Sequence, residues 1–228
     1  MESMQVNREA RTWRIGTAAE VAWLAGRPTG TSMATAMPQI FEANGTLYVP
    51  EEEVPVGVHE RAIVDTLAAH TAPQPWWLGF LDTGAHDIVF PEAPLVSLYF
   101  NWSYVLVEGG PSEAMRWRLG HMRSGDGHLP DLYFPFDRSW FVTALWDDSF
   151  ACIGGSTDLI GTLAKQPLVG LRRVGPDDED MTPPGAPRDW WVDGRARWSS
   201  GEGSVWNGPL RGRRAWWSGG TRKPAHLS

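Results

Sequence analysis

The segment from Pro130 to Pro167, PDLYFPFDRSWFVTALWDDSFACIGGSTDLIGTLAKQP, constrains the fold more than any other part of the chain. From Trp140 to Trp146 nearly every side chain is aromatic, β-branched or small and apolar, which predicts a strand covered on both faces. Asp147 and Asp148 supply turn chemistry, because a short carboxylate accepts from its own downstream N–H groups, and Ser149 to Ile153 resume the sheet. The expectation is a hairpin. Gly154 and Gly155 then permit a sharp change of direction, Ser156 is placed to cap a helix, and Asp158 puts negative charge at the positive end of that helix. Leu159, Ile160 and Leu163 share one helical face, and Pro167 closes the segment.

The rest of the chain is hung around this unit. Thr17 followed by Glu20 has the form of a capping box and predicts a short helix over Ala18–Ala25, ended by Gly26 and Pro28. A second helical segment is expected from Met33 to Phe41, opened or kinked at Pro38, and Thr46 to Val49 reads as a strand. Glu60 to His70 carries Ile63, Val64 and Leu67 at helical spacing. A meander follows, with strands at Trp76–Leu81, Ile88–Phe90, Leu95–Tyr99 and Tyr104–Val107, then a helix from Pro111 to Leu119 and a last strand within Leu168–Val174. The predicted class is α+β: a mainly antiparallel sheet with flanking short helices, forming a single domain over residues 1–180.

Composition changes abruptly beyond residue 180. Residues 185–228 hold eight Gly, seven Arg and six of the fourteen Trp, without Ile, Phe, Tyr or Met, so the expectation for 181–228 is a disordered basic tail. That stretch has eight Lys and Arg against three carboxylates, a charge of 8 − 3 = +5. The remaining 184 residues hold 12 basic and 24 acidic side chains, a charge of −12. An acidic body of that kind repels nucleic acid and favours a basic protein partner, while the tail, with arginines between tryptophans, is the one place suited to single-stranded nucleic acid. No apolar run approaches the roughly 18 residues that span a bilayer, and the N-terminal residues have no signal-peptide core. The expected compartment is cytoplasmic, with no membrane partner, and the single cysteine, Cys152, is expected to be a small buried hydrophobe.

Catalytic motifs do not stand out. Ser156, at a strand, Gly-Gly-Ser, helix corner, has the local form of a nucleophile elbow, but Asp158 stands where that motif requires glycine and the only downstream histidine is His226 in the tail. A helix cap accounts for the same serine. His59 and Glu60 begin like a zinc-protease helix, but Ile63 occupies the position of the second imidazole. Asp82, His86 and Asp87 in one loop, and His121, Asp126 and His128 in another, match no metal-ligand spacing, so no metal and no cofactor is expected. Trp76, Trp77, Asp82, Trp146, Asp147 and Asp148 are the candidate binding residues, as an aromatic surface edged with acidic turns.

At LPDLYFPFDRSWFVTALWDDSFACIGGSTDLIGTLAKQP the chain resembles a group of actinobacterial proteins with no assigned activity. The order of short helices, an antiparallel meander and a closing hairpin before a helix is also similar to the SUKH superfamily, over residues 17–167, with MPQIFEANG placed like that family's proline-led helix before a glycine turn. SUKH members include immunity proteins of bacterial toxin systems. The resemblance implies a non-enzymatic interaction module of the immunity type. Two alternatives stand beside it: a small hydrolase or ligand-binding enzyme using Ser156, and nucleic-acid binding through the tail.

Overall fold

A computed structural model describes residues 4–8, 11–24, 32–50, 54–82, 90, 92–98, 102–116, 129–144, 150–176, 178 and 180–183. Ten strands lie among them: β1 (Gln5–Arg8), β2 (Arg11–Arg14), β3 (Ala43–Tyr48), β4 (Trp76–Leu81), β5 (Leu95–Leu98), β6 (Trp102–Gly109), β7 (Leu132–Pro135), β8 (Phe141–Thr143), β9 (Ala151–Gly155) and β10 (Gly170–Arg173). The helices are α1 (Met33–Ala36), α2 (Val56–Ala69), α3 (Pro111–Arg116) and α4 (Thr157–Leu163), with a 3-10 turn at Ala22–Leu24. Eight strands form one sheet in the order β10-β3-β9-β8-β7-β4-β6-β5, and β1 and β2 pair separately. Every pairing in the sheet is antiparallel. The α+β expectation holds in class and in sheet type.

Alternation along the strands sorts side chains onto two faces. One face carries Leu78, Val107, Tyr133, Val142 and Ile153, and it packs against Ile63, Val64 and Leu67 of α2, Met115 of α3 and Leu159, Ile160 and Leu163 of α4. The opposite face carries Trp77, Leu106, Leu132, Phe134, Phe141 and Cys152, covered by Val21, Leu24, Met33, Met37 and Met181. The longer helices thus cover one side, while α1, the 3-10 turn and irregular chain cover the other.

The hairpin at the centre of the sequence forms as expected. β8 and β9 pair with Phe141 opposite Gly154, Val142 opposite Ile153 and Thr143 opposite Cys152; the turn at Asp147–Asp148 lies outside the described residues. Gly154 is needed for packing rather than for dihedral freedom, since a Cβ there would lie 2.4 Å from Phe41 Cδ2 and 2.9 Å from Asn44 Oδ1. Cys152 is buried, as expected.

Several elements differ from expectation. Residues 18–24 form no α-helix, only the 3-10 turn at Ala22–Leu24, because the chain is tied to the sheet on either side: Gly16 N–H donates to Leu106 O at 2.7 Å, and Trp23 packs edge-on against Phe134 and Phe141. The helix expected over Met33–Phe41 stops at Ala36. Met37 is extended (φ −112°, ψ 135°), as the residue before Pro38 must be, and Ile40 is left 64% exposed. The hairpin β1–β2 and strand β7 were not expected. Of the strand proposed at Ile88–Phe90, only Phe90 is described, and it is buried edge-on to Trp13 at 6.2 Å. The packed body also runs past residue 180: Met181 and Pro183 are buried, Met181 Sδ lies 4.0 Å from Cys152 Sγ, and Thr182 O accepts from Arg172. Residues 184–228 lie outside the described residues.

A candidate docking cleft of arginine and aromatic side chains

The loop from β7 to β8, Phe136-Asp137-Arg138-Ser139, is fixed from several directions. Arg138 N–H donates to Pro135 O at 2.9 Å, closing a four-residue turn, and Ser139 N–H donates to Asp137 Oδ1 at 2.9 Å. Gln74, just before β4, donates to Asp137 Oδ2 at 2.6 Å and accepts the Asp137 N–H at 2.9 Å. Partial burial opposes charge on Asp137, but these bonds from Gln74 and Ser139 outweigh it and hold the carboxyl below its ordinary range. Arg138 itself has φ +58°, a left-handed conformation that glycine adopts freely and that costs an ordinary side chain about 1 kcal/mol.

This loop forms one wall of an open cleft of about 260 Å³ lined by Arg14, Ala19, Glu20, Trp77, Phe134, Phe136 and Arg138. Phe136 stacks on Trp77 with centroids 5.2 Å apart and planes at 16°. The Arg14 guanidinium lies 4.9 Å from the Trp77 ring centre and 5.7 Å from that of Phe136, closing the aromatic stack with a cation. Two carboxylates hold it there, Glu20 at 3.1 Å and Glu108 at 3.1 Å. Glu20 is fixed in turn. Burial opposes its charge, but bonds from the Thr17 hydroxyl and N–H (2.7 Å each) and the charge of Arg14 outweigh that and keep its pKa below the ordinary value. The capping-box pair thus also orients an arginine, through the second oxygen of Glu20.

Arg138 is placed differently. Its guanidinium lies 5.4 Å from the Trp23 ring centre, and no carboxylate among the described residues pairs with it. The cleft thus offers one neutralised cation, one cation with no carboxylate partner among the described residues, and the face of Phe136, which is 38% exposed. Such a site can hold a planar side chain by stacking while a guanidinium takes up an adjacent carboxylate.

The residues singled out from the sequence meet this site only in part. Trp76 is a correction: it is 1% exposed, packed at 4.7 Å against Trp140 in the helix-covered core, and cannot present a surface. Trp77 is corrected as an exposed residue too, at 4% exposure, but its ring forms the floor of the cleft. Asp82 follows the far end of β4, about 17 Å along the strand from Trp77 at the usual rise, and does not join the site. Trp146, Asp147 and Asp148 lie outside the described residues, as do His86, Asp87, His121, Asp126 and His128. No group of three or more His, Cys, Asp or Glu among the described residues is placed to hold a metal ion.

Ser156 caps α4. It is exposed, and its Oγ accepts the Leu159 N–H at 3.2 Å. His70 Nδ1 lies 3.5 Å from Asp158 Oδ2, and no imidazole among the described residues is bonded to Ser156 Oγ. Arg14, Glu20, Phe136 and Arg138 were missed from the sequence. No local sequence pattern marks them, since the left-handed backbone of Arg138 and the strand β7 before it emerge only in the fold.

No protein family, curated protein or solved structure matches this chain. No helix among the described residues is long and apolar enough to cross a membrane.

Proposed function

We propose that this chain is a non-enzymatic protein-interaction module that captures a basic protein partner, in the manner of an immunity-type inhibitor, with the arginine–aromatic cleft as its anchor point. The observation that carries the reading is the exposed face of Phe136, stacked on Trp77 and flanked by Arg14 and Arg138. Tryptophan and arginine dominate the energetics of protein interfaces, because a rigid ring supplies large contact area at low entropic cost and a guanidinium adds directed hydrogen bonds. The −12 charge of residues 1–184 supplies the complementary long-range term, steering a basic partner and repelling polyanions.

Capture of partner from source-cell lysate by the full chain tests this, at low and high salt, beside Phe136→Ala and a variant with reversed charge at Asp65, Asp158 and Asp178. The expected result is one basic protein retained at low salt, weakened at least about tenfold by Phe136→Ala and less tightly steered by charge reversal. Retention indifferent to both changes would overturn the reading.

A further inference from the structure

The cleft has an occupant within reach in the chain itself. Residues 184–228 hold three carboxylates, and two of them, Asp189 and Asp193, bracket a Trp-Trp pair in the pentad Asp189-Trp190-Trp191-Val192-Asp193. We propose that this pentad docks in the cleft in cis, with an indole against Phe136 and a carboxylate on Arg138, so that the chain covers its own anchor point until a partner displaces it. The inference rests on the reading of the cleft as a docking site and adds its regulation.

Reach supports it. The last described residues run over the sheet face that carries the cleft: Met181 contacts Cys152 on β9, on the same face as Trp77 and Phe134. From β9 the path crosses β8 and β7 to β4, three strand spacings, or about 14 Å, and Phe134 lies two residues along β7 from Leu132, about 7 Å further. The diagonal is about 16 Å. Seven peptide steps separate Pro183 from Trp190, and they span up to about 24 Å when extended. Pro184 and Pro187 favour such an extended path.

Charge supports it at two levels. The whole tail, at +5, is attracted to a body at −12, while the two carboxylates of the pentad suit the guanidinium of Arg138, which no carboxylate among the described residues pairs with. Tethering raises the local concentration of the pentad to the millimolar range, so even a weak contact fills the site. A partner would then pay for displacement through a reduced apparent affinity, in proportion to the fraction of open chain.

The test compares the full chain with Trp190→Ala/Trp191→Ala, a change outside the packed body, through the side-chain Nε–Hε NMR signals of Arg14 and Arg138. Both signals are expected to move in the double variant. A synthetic peptide of residues 186–195 should return them to the parent positions, and the same peptide with Asp189→Lys and Asp193→Lys should bind at least about tenfold more weakly. Signals that coincide in parent and double variant would overturn the proposal, as would peptides that act alike despite charge reversal. No partner enters this test. A chain that captures nothing from lysate can still pass it, and one that captures a protein through an uncovered cleft fails it.

Discussion

Arg138 is where local backbone cost and surface chemistry pull in opposite directions. A left-handed residue with a branched-off Cβ is disfavoured by about 1 kcal/mol, and glycine removes that cost. The arginine recovers part of it over Trp23, by roughly 0.5–1 kcal/mol for an exposed cation–π contact. Arg138→Gly should therefore leave the thermal midpoint unchanged or raise it by a few degrees, while partner capture falls; thermal unfolding and capture measured on the same sample check both. Ser156 gives the contrasting case. Its hydroxyl satisfies the Leu159 N–H, so Ser156→Ala should cost about 1 kcal/mol in denaturant titration. His59 is a third. It is buried on α2, and its Nδ1 donates to Leu168 O at 2.9 Å. Burial lowers its pKa against a smaller upward pull from that bond. The unfolded chain therefore takes up the proton first as pH falls below about 6.5, and stability present above that pH is lost on acidification. The urea midpoint should fall between pH 7.5 and 5.5, and His59→Gln should flatten that slope.

At the scale of elements, the parts legible in the sequence are those whose own side chains decide them. The β8–β9 hairpin carries an apolar run and turn residues, and α4 has its cap, its first-turn carboxylate and its apolar face within eight residues of one another. The hairpin β1–β2 has no such signature: in QVNREARTWR only Val6, Ala10 and Trp13 are apolar, and what buries Trp13 is the core over β6 and Phe90, far away in sequence. Thr17 and Glu20 do make their capping-box bonds, Glu20 accepting the Thr17 N–H and Thr17 Oγ1 accepting the Ala19 N–H, but the chain around them is tied to the sheet and only a 3-10 turn follows. One row across the sheet shows a residual conflict. Thr46, Cys152 and Thr143 lie side by side on β3, β9 and β8, and both threonine hydroxyls are fully buried with no hydrogen-bond partner among the described residues. An unpaired buried hydroxyl costs free energy that an isosteric methyl does not. Thr46→Val and Thr143→Val should therefore each be neutral or stabilising by up to about 1 kcal/mol, read from the urea midpoint.

Across the whole molecule, the site was illegible because topology assembles it. Arg14 and Arg138 are over a hundred positions apart, and they meet only because β4 sits between β6 and β7 while the β7–β8 loop folds back over Trp77. Aromatic content alone pointed to Trp76 and Trp77, and alternation then placed them on opposite faces: one in the helix-covered core, the other beneath the cleft. Charge was legible only as a sum. The sequence shows an acidic body and a basic tail, whereas the fold sets Arg138, which no carboxylate among the described residues pairs with, in the wall of the cleft. Photo-crosslinking from that point tests the central claim most directly. Benzoylphenylalanine in place of Phe136, in the chain that also carries Trp190→Ala and Trp191→Ala, should form one adduct with a basic protein in source-cell lysate, lost at high salt and on Arg138→Gly. Failure to form any protein adduct, or an adduct indifferent to Arg138→Gly, would contradict the account.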